Sequence, residues 1–211
     1  MAQKKAIIVI NGKGGIGKDS LIDAFAQDTS KRFVFNVSSI QPIKDMCEPL
    51  KPDKKDLAYR HLLSDVKYSV DAFYEQTHGI SYTNQYLLNA MKLWETQCEQ
   101  YKDHDCFMFV HIREPENISA FLKEAEKELH LRKDKDTKLT SLLVTSNRSL
   151  KSYGNSSDDG VEDYDYDMVF ESNGTKEDDA KSFIKHIYTE LTTIGLQKTV
   201  AKAFKDAGKE F

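Results

Sequence analysis

The feature that most constrains the fold is a glycine-rich run, NGKGGIGKDS at residues 11–20, which directly follows five apolar residues at 6–10. The apolar run predicts a buried strand, and the spacing of apolar residues after the glycines predicts a helix over residues 17–28. Glycines between a strand and a helix allow successive backbone N–H groups to turn toward one point, where the helix dipole adds positive potential. This order of elements predicts an α/β fold whose first loop binds an anion.

The residues of this loop are typical of a site for a nucleoside triphosphate. Lys18 is expected to reach the β- and γ-phosphates while the backbone before it holds phosphate oxygens. Asp19 stands where serine or threonine is usual, and we expect Asp19, together with Ser20, to hold Mg²⁺ directly or through water. The predicted ATP-binding residues of the loop and first helical turn are Gly12, Lys13, Gly14, Gly15, Ile16, Gly17, Lys18, Asp19 and Ser20.

Two other kinds of nucleotide-binding loop share part of this pattern. The dinucleotide fingerprint has the same glycine spacing, but it requires an acidic residue at the end of the second strand. Residues 33–38, FVFNVS, end without one, so this interpretation is set aside. The run KGGIGK at 13–18 is also similar to the loop of the partitioning ATPases, although that family has serine or threonine at the position of Asp19.

The composition argues against several classes of function. A net charge of −4 shows no basic excess, so neither nucleic acid nor a membrane surface is an expected partner. The apolar residues near the amino terminus are too few for a signal peptide or a membrane span. The three cysteines, Cys47, Cys98 and Cys106, lack paired spacing, which favours reduced thiols and a cytoplasmic location. A chain of 211 residues suits one domain, as a monomer or a homodimer.

Five apolar runs predict the strands of a parallel sheet, because helical patterns separate them. The runs are residues 6–10, 33–37, 106–111, 141–144 and 168–170. Between the second and third runs, two helical stripes predict an inserted helical subdomain at about 41–102 that binds an acceptor, and the polar stretch 145–167 predicts a lid. We expect one domain over residues 1–194, followed by a helical tail at 195–211.

Helix starts and buried faces follow from particular residues. Pro42 and Pro115 are each expected in the first turn of a helix, because proline is favoured there. The first helix is expected to bury Leu21, Ile22, Phe25 and Ala26. The second long stripe, which includes Trp94, is interpreted as core.

Cations near the ends of strands are the candidates for phosphate chemistry, because phosphoryl transfer requires positive charge around the moving group. Arg113 directly follows the third predicted strand, at the edge where parallel sheets bind ligands, and Arg148 lies early in the predicted lid. We expect both to act with Lys18 in catalysis. Arg60 and Lys67 lie on the predicted insertion, and we expect them, together with Arg113, to bind the acceptor.

Other polar residues are expected to have structural or solvent-exposed roles. Arg32 and Arg132 are interpreted as solvated, and His111 as a hydrogen-bonded residue at the end of a strand. The acidic residues of the predicted lid lack the spacing of a calcium-binding loop and are expected to be mostly solvated. They are Asp158, Asp159, Glu162, Asp163, Asp165 and Asp167.

Three segments together resemble the P-loop monophosphate kinases, in particular the phage-type deoxynucleoside monophosphate kinases and the animal-type phosphomevalonate kinases. The segments are GKD at 17–19, IR at 112–113 and YDMVFESNGT at 166–175. The resemblance implies a P-loop NTPase fold that uses ATP and Mg²⁺. It also implies that Asn173 and Gly174 lie near the adenine, and that Lys44, in SSIQPIK at 38–44, reaches the acceptor phosphate.

The resemblance implies an ATP-dependent kinase that transfers the γ-phosphoryl group to a phosphate-bearing small molecule, with a (deoxy)nucleoside monophosphate as the first expectation. The sequence departs from these kinases at His111, where they have an aspartate two residues before the arginine that follows strand three. A phosphomevalonate-type kinase, a partitioning-type ATPase and a non-catalytic nucleotide-binding protein remain as alternatives.

Overall fold

The computed structural model describes residues 3–27, 31–50, 56–134, 136–147 and 160–206, the last eleven of these by backbone alone. Its strands are β1 (Lys5–Asn11), β2 (Arg32–Ser38), β3 (Asp105–His111), β4 (Thr137–Thr145) and β5 (Met168–Glu171). Its helices are α1 (Lys18–Gln27), α2 (Gln41–Met46), α3 (Leu57–His78), α4 (Tyr82–Cys98), α5 (Pro115–Leu131) and α6 (Lys176–Asp206), with a 3₁₀ turn at Glu48–Leu50. Arg148 lies outside the described residues.

The five strands form one parallel sheet in the order β2-β3-β1-β4-β5, which confirms the five predicted strands. The central strand β1 pairs with β3 on one side and β4 on the other. Its residues 6–10 are at most 1% exposed, because helices cover both faces of the sheet. The loop after β1 therefore leaves the sheet at its centre, between the ends of β3 and β4.

Two hydrophobic layers hold helices against the sheet. On one face, Phe25 of α1 and Phe183 of α6 pack with Phe109 of β3. On the other face, α4 and α5 pack on the sheet through residues such as Trp94 and Phe121. Trp94 is fully buried, as the sequence predicted. Helix α4, which belonged to the predicted insertion, is therefore part of the layer that covers the sheet.

The remaining part of the predicted insertion has a small core of its own. Ile43 of α2, Cys47, and Tyr59 and Leu63 of α3 form a buried cluster separate from the two sheet layers. The apolar stripe of α3 predicted from the sequence is only partly covered, since Leu57 is 47% and Phe73 is 66% exposed. Helices α2 and α3 thus lie at the margin of the molecule, beside the carboxyl ends of the strands.

Local signals predicted most helix starts correctly. Pro42 and Pro115 occupy the first turns of α2 and α5, as expected. In α1, Leu21, Ile22 and Phe25 are buried, but the prediction for Ala26 is wrong because it is exposed. The buried stripe of α1 centres on Phe25, and Ala26 lies to one side of it.

The last helix runs without a break past Gly195, so the prediction of a separate tail beginning there is wrong. Glycine often marks a helix end, but here the helix continues through it. A Cβ atom on Gly195 would collide with Nζ of Lys138, which donates a hydrogen bond to the carbonyl of Leu191 at 2.6 Å. No helix within the described ranges has a stretch long and apolar enough to cross a membrane.

The two arginines expected to be solvated are engaged in contacts. The guanidinium of Arg32 lies 4.6 Å from the ring centre of Phe25 and donates to its carbonyl at 2.7 Å. Arg132 pairs with Glu95 and, at 3.2 Å, with Glu128. The sequence could not show this, because Phe25 and Glu95 become neighbours of these arginines only in the tertiary fold.

Candidate functional site

A cleft of about 810 Å³ opens at the carboxyl ends of β1, β2 and β3. This is the edge at which open parallel sheets bind their ligands. One wall is formed by residues 14–20 of the glycine-rich loop and the first turn of α1, together with residues 111–114 after β3. The opposite wall is formed by α2 and α3. We call these the loop wall and the helix wall.

The glycine-rich loop has a backbone that other residues rarely adopt. Gly12, Gly15 and Gly17 have φ values of 143°, 79° and 96°. A Cβ atom on Gly12 would lie 2.5 Å from the carbonyl oxygen of Val144 in β4, so the neighbouring strand leaves no space for a side chain. The loop then leads into α1, which begins at Lys18. We call residues 12–18 the cradle, since a glycine-rich loop before a helix N-terminus is the arrangement from which anion binding was predicted; that role stays a prediction.

Lys18 lies across the loop that precedes it. Its Nζ donates to the carbonyl oxygens of Gly12 and, at 3.2 Å, of Lys13. These contacts hold the ammonium group beside the cradle, where it adds positive charge. Lys18, Asp19 and Ser20 all line the cleft, and the Asp19 side chain is 85% exposed.

His111 borders the loop wall at the end of β3. Its Nε2 is 2.8 Å from Oδ1 of Asn36 and 3.6 Å from Oδ1 of Asp19. Burial lowers the pKa of His111 to about 4; Asp19 opposes this shift, while Lys18, Arg113 and Lys44 add to it. The imidazole is therefore uncharged near neutral pH and is hydrogen-bonded, as the sequence predicted.

Asn11, the last residue of β1, connects three parts of the site and was not singled out from the sequence. Its Nδ2 donates to the carbonyl of Arg113 at 2.9 Å and to the hydroxyl of Tyr166 at 2.8 Å. Its Oδ1 accepts from the N–H of Gly12 at 2.8 Å. The only signal in the sequence was a polar residue that directly follows an apolar strand.

The cations proposed for phosphate and acceptor binding lie around the same cleft. Lys44 of α2 and Arg60 of α3 line it from the helix wall, and Arg113 lines it from the loop wall. The fold thus brings these residues together with Lys18, although they are far apart in the sequence. Their roles stay predictions.

Lys67 also lines the cleft, but its charge is already matched by carboxylates. Its side chain is 10% exposed and lies 3.2 Å from Glu114 and 3.7 Å from Asp71. Asp71 in turn accepts from the backbone N–H of Thr83 at 2.8 Å and from its hydroxyl at 2.9 Å. Lys67 therefore joins α3 to α4 and to the connection between β3 and α5.

The pairing with Lys67 lowers the pKa of Glu114. Burial by itself would raise the pKa of the carboxyl, but the Lys67 ammonium and several hydrogen bonds, including one from Asn117, outweigh it and hold the pKa below its ordinary value. Glu114 is thus charged at neutral pH.

The residues predicted to lie near the adenine are placed at the end of β5. Oδ1 of Asn173 accepts from the N–H of Asn147 at 2.8 Å, and the N–H of Gly174 donates to Oδ1 of Asp179 at 2.8 Å. Neither Asn173 nor Gly174 is among the residues that line the cleft. Because β4 lies between β1 and β5, they lie at the edge of the sheet opposite β2.

Only the two ends of the predicted lid, residues 145–147 and 160–167, are among the described residues. Glu162 pairs with Lys13 of the glycine-rich loop at 2.9 Å, and Oδ2 of Asp167 accepts from the N–H of Ser141 at 2.7 Å. Both residues are nevertheless exposed, which agrees with the expectation that the acidic residues of this stretch are mostly solvated. Asp158 and Asp159 are outside the described residues.

Comparison with solved structures finds five matching chains, two of which are described here. The tunicamycin resistance protein of Deinococcus radiodurans has 13% sequence identity and a TM-score of 0.39, with 87% of this chain and 96% of that chain covered. A plasmid partition protein of Borrelia burgdorferi has 12% identity and a TM-score of 0.36, with 89% of this chain and 100% of that chain covered. No protein-family model and no curated protein matches the sequence. Likenesses this weak say nothing about the activity of the chain.

Proposed function

We propose that this chain is a P-loop kinase that transfers the γ-phosphoryl group of ATP to a phosphate-bearing small molecule. The observation that carries the proposal is the convergence of four cations, Lys18, Lys44, Arg60 and Arg113, on one cleft beside the cradle. They come from four separate elements, as phosphoryl transfer between two phosphate-bearing molecules requires. Small-molecule sites are roughly 300–1,000 Å³, and this cleft is within that range at about 810 Å³.

The residues of the loop wall suit a nucleoside triphosphate and Mg²⁺. A Cβ atom on Gly12 would collide with the carbonyl oxygen of Val144, so this position requires glycine, as in loops whose backbone holds phosphate. Asp19 and Ser20 supply a carboxylate and a hydroxyl oxygen in the first turn of α1, and Mg²⁺ is commonly held by one or two such groups plus phosphate oxygens. Bound there, the metal would offset charge on the phosphates.

The chemistry needs little from the protein beyond charge and position. A bond forms between an acceptor phosphate oxygen and the γ-phosphorus, the bond from that phosphorus to the bridging oxygen breaks, and ADP leaves. Because the attacking oxygen is already anionic, no general base is needed. His111 would be a weak base in any case, since burial lowers its pKa to about 4. Lys18 and Arg113 would stabilise charge on the transferring group.

The helix wall favours a nucleoside monophosphate as the acceptor. Lys44 and Arg60 would supply charge for its phosphate, and the half-buried Tyr86 lines the same cleft. Aromatic rings bind planar bases by stacking. Phosphomevalonate has no planar ring, so Tyr86 would have no partner of this kind in its site.

The test is ADP formation from Mg·ATP with a panel of (deoxy)nucleoside monophosphates and phosphomevalonate. We expect turnover only when an acceptor is present, and the panel then identifies it. ADP formed at the same rate without any acceptor would contradict the kinase and favour an ATPase of the partitioning type.

Substitutions on each wall test the assignment of its residues. Lys18→Ala should lower turnover by about 10³-fold, since it removes a donor to the transferring phosphoryl group. Lys127→Ala, at a lysine that is 68% exposed on α5, is the matched control and should change nothing. Lys44→Ala should raise KM for the acceptor by ~10-fold without changing nucleotide affinity. Normal ATP binding by Lys18→Ala would contradict the loop assignment.

One observation favours a second candidate, a nucleotide-binding protein without turnover. His111 is uncharged and lies 3.6 Å from Asp19, where the kinases that the sequence resembles have a carboxylate. In this case ATP binds but no acceptor on the panel yields ADP. Acceptor-dependent turnover in His111→Asp, absent from the unmodified chain, would identify this candidate.

A further inference from the structure

We infer that Asn11 is a positioning residue that holds the phosphate loop, the backbone of Arg113 and the segment 160–167 in one arrangement. This inference rests on the proposed function in one respect, since it gives Asn11 a part in phosphoryl transfer. The juxtaposition itself stands on three hydrogen bonds of one buried side chain.

The Asn11 amide is fully used. The residue is 1% exposed, and each bond goes to a different part of the chain. Oδ1 accepts from the N–H of Gly12, while Nδ2 donates to the carbonyl of Arg113 and to the hydroxyl of Tyr166, all at 2.8–2.9 Å. The Tyr166 hydroxyl extends this hydrogen-bond network to Val161, since it donates to the Val161 carbonyl at 2.9 Å.

Asparagine is the side chain that meets these demands. Its amide has one acceptor oxygen and two N–H donors on a short stem, which matches one N–H and two oxygens as partners. An aspartate has no donor, and a serine has a single hydroxyl hydrogen. Since the site is buried, each partner left without its bond would carry the cost of an unsatisfied polar group.

Two of the three bonded parts, the loop and Arg113, have roles in the proposed phosphoryl transfer, and the third contacts the loop. Gly12 starts the cradle with a φ of 143°, a conformation that needs support. Arg113 carries the guanidinium that we propose acts on the transferring group. Segment 160–167 contacts the same loop a second time through the pair of Glu162 with Lys13 at 2.9 Å. Asn11 thus links binding of phosphate at the loop to the position of Arg113.

Hydrogen exchange tests the linkage without any assumption about activity. We compare Asn11→Ala with Asn84→Ala, a matched control at another buried asparagine, which is 5% exposed and lies on α4 outside the cleft. In Asn11→Ala, exchange should be ~10-fold faster in peptides covering 12–20, 111–118 and 160–167 together. Unchanged exchange at 111–118 and 160–167, with faster exchange only at 12–20, would overturn the linkage.

Kinetics test the positioning role. Asn11→Ala should lower kcat by about 10²-fold, because a small misplacement of a transferring group has that effect, while the Kd for ADP changes little. Asn84→Ala should change thermal stability without changing kcat. A kcat for Asn11→Ala that equals that of Asn84→Ala would reduce Asn11 to a structural residue.

A second variant covers the case in which Asn11→Ala does not fold. Tyr166→Phe removes only the bond from Asn11 to the hydroxyl and the bond from that hydroxyl to Val161. Exchange should then be faster at 160–167 and unchanged at 12–20, and an unchanged rate at 160–167 would contradict the linkage. If no acceptor supports ADP formation in the unmodified chain, the proposed function fails, whereas the exchange results still decide the linkage.

Discussion

The two walls of the cleft are built in different ways. The loop wall rests on the main core: Ile10 of β1 and Phe25 of α1 are almost fully buried behind it, and its shape depends on backbone conformation at Gly12. The helix wall rests on a small separate cluster around Ile43 and on the ion pairs of Lys67.

This difference corresponds to what each wall would bind. Phosphate groups are alike in all nucleotides, so a rigid backbone cradle suits them. An acceptor differs in its sugar and base, and side chains on two marginal helices can vary without disturbing the sheet. We therefore expect changes on the loop wall to affect transfer, and changes on the helix wall to affect stability and acceptor choice.

The largest effect is expected at Arg113. Arg113→Ala should lower turnover by about 10³-fold while ATP still binds, because the guanidinium would act mainly on charge that develops during transfer. Arg132→Ala is the control, since Arg132 pairs with Glu95 and Glu128 away from the cleft. Equal turnover in the two variants would show that Arg113 is structural. It would also contradict the expectation that changes on the loop wall affect phosphoryl transfer.

On the helix wall, Lys67→Met should lower the free energy of unfolding by about 4 kcal/mol, since it leaves two partly buried carboxylates without their cation. The matched control is Lys92→Met, which removes a pair with Glu128 at 3.8 Å from a lysine that is 44% exposed and should cost less than about 1 kcal/mol. Urea unfolding measures both. Similar losses in the two variants would mean that the Lys67 network does not support the helix wall.

The same network predicts a pH dependence. Because the pKa of Glu114 is lowered in the folded chain, its contribution to stability is complete above its ordinary value of 4.5 and is lost as the pH falls through the folded value. The stability difference between the unmodified chain and Lys67→Met should therefore narrow on acidification below pH 4.5. A difference that is constant across this range would contradict the Lys67–Glu114 assignment.

The smallest effects are expected from two glycines of the loop. Gly17→Ala tests backbone conformation alone, because a Cβ atom there has no neighbour within 4 Å, and it should cost about 1 kcal/mol. Gly12→Ala adds the contact with the carbonyl of Val144 and should cost about 2 kcal/mol. Urea unfolding of both variants checks the order. A larger loss in Gly17→Ala would contradict the close approach of β4.

The sequence predicted those parts of the molecule whose causes are local. The five apolar runs form five parallel strands, and Pro42 and Pro115 lie in the first turns of two helices. Both features could be predicted because strand burial and helix starts depend on residues that are near in the sequence. The glycine spacing predicted the loop, since only glycine tolerates its backbone angles without strain.

What only the tertiary structure decided depends on partners that are distant in the chain. The partners of Asn11 are 102 and 155 residues away, at Arg113 and Tyr166. Lys67 was predicted to bind the acceptor, which stays a prediction; only the fold shows that it lines the cleft beside Glu114. Helix α6 continues through Gly195, which the sequence suggested as a helix end, and Lys138 of β4 lies beside this glycine. The spacing of apolar residues along the chain indicates which face of a helix or strand is buried. The hydrogen-bond partner of a buried polar atom is determined only when distant helices and strands pack together.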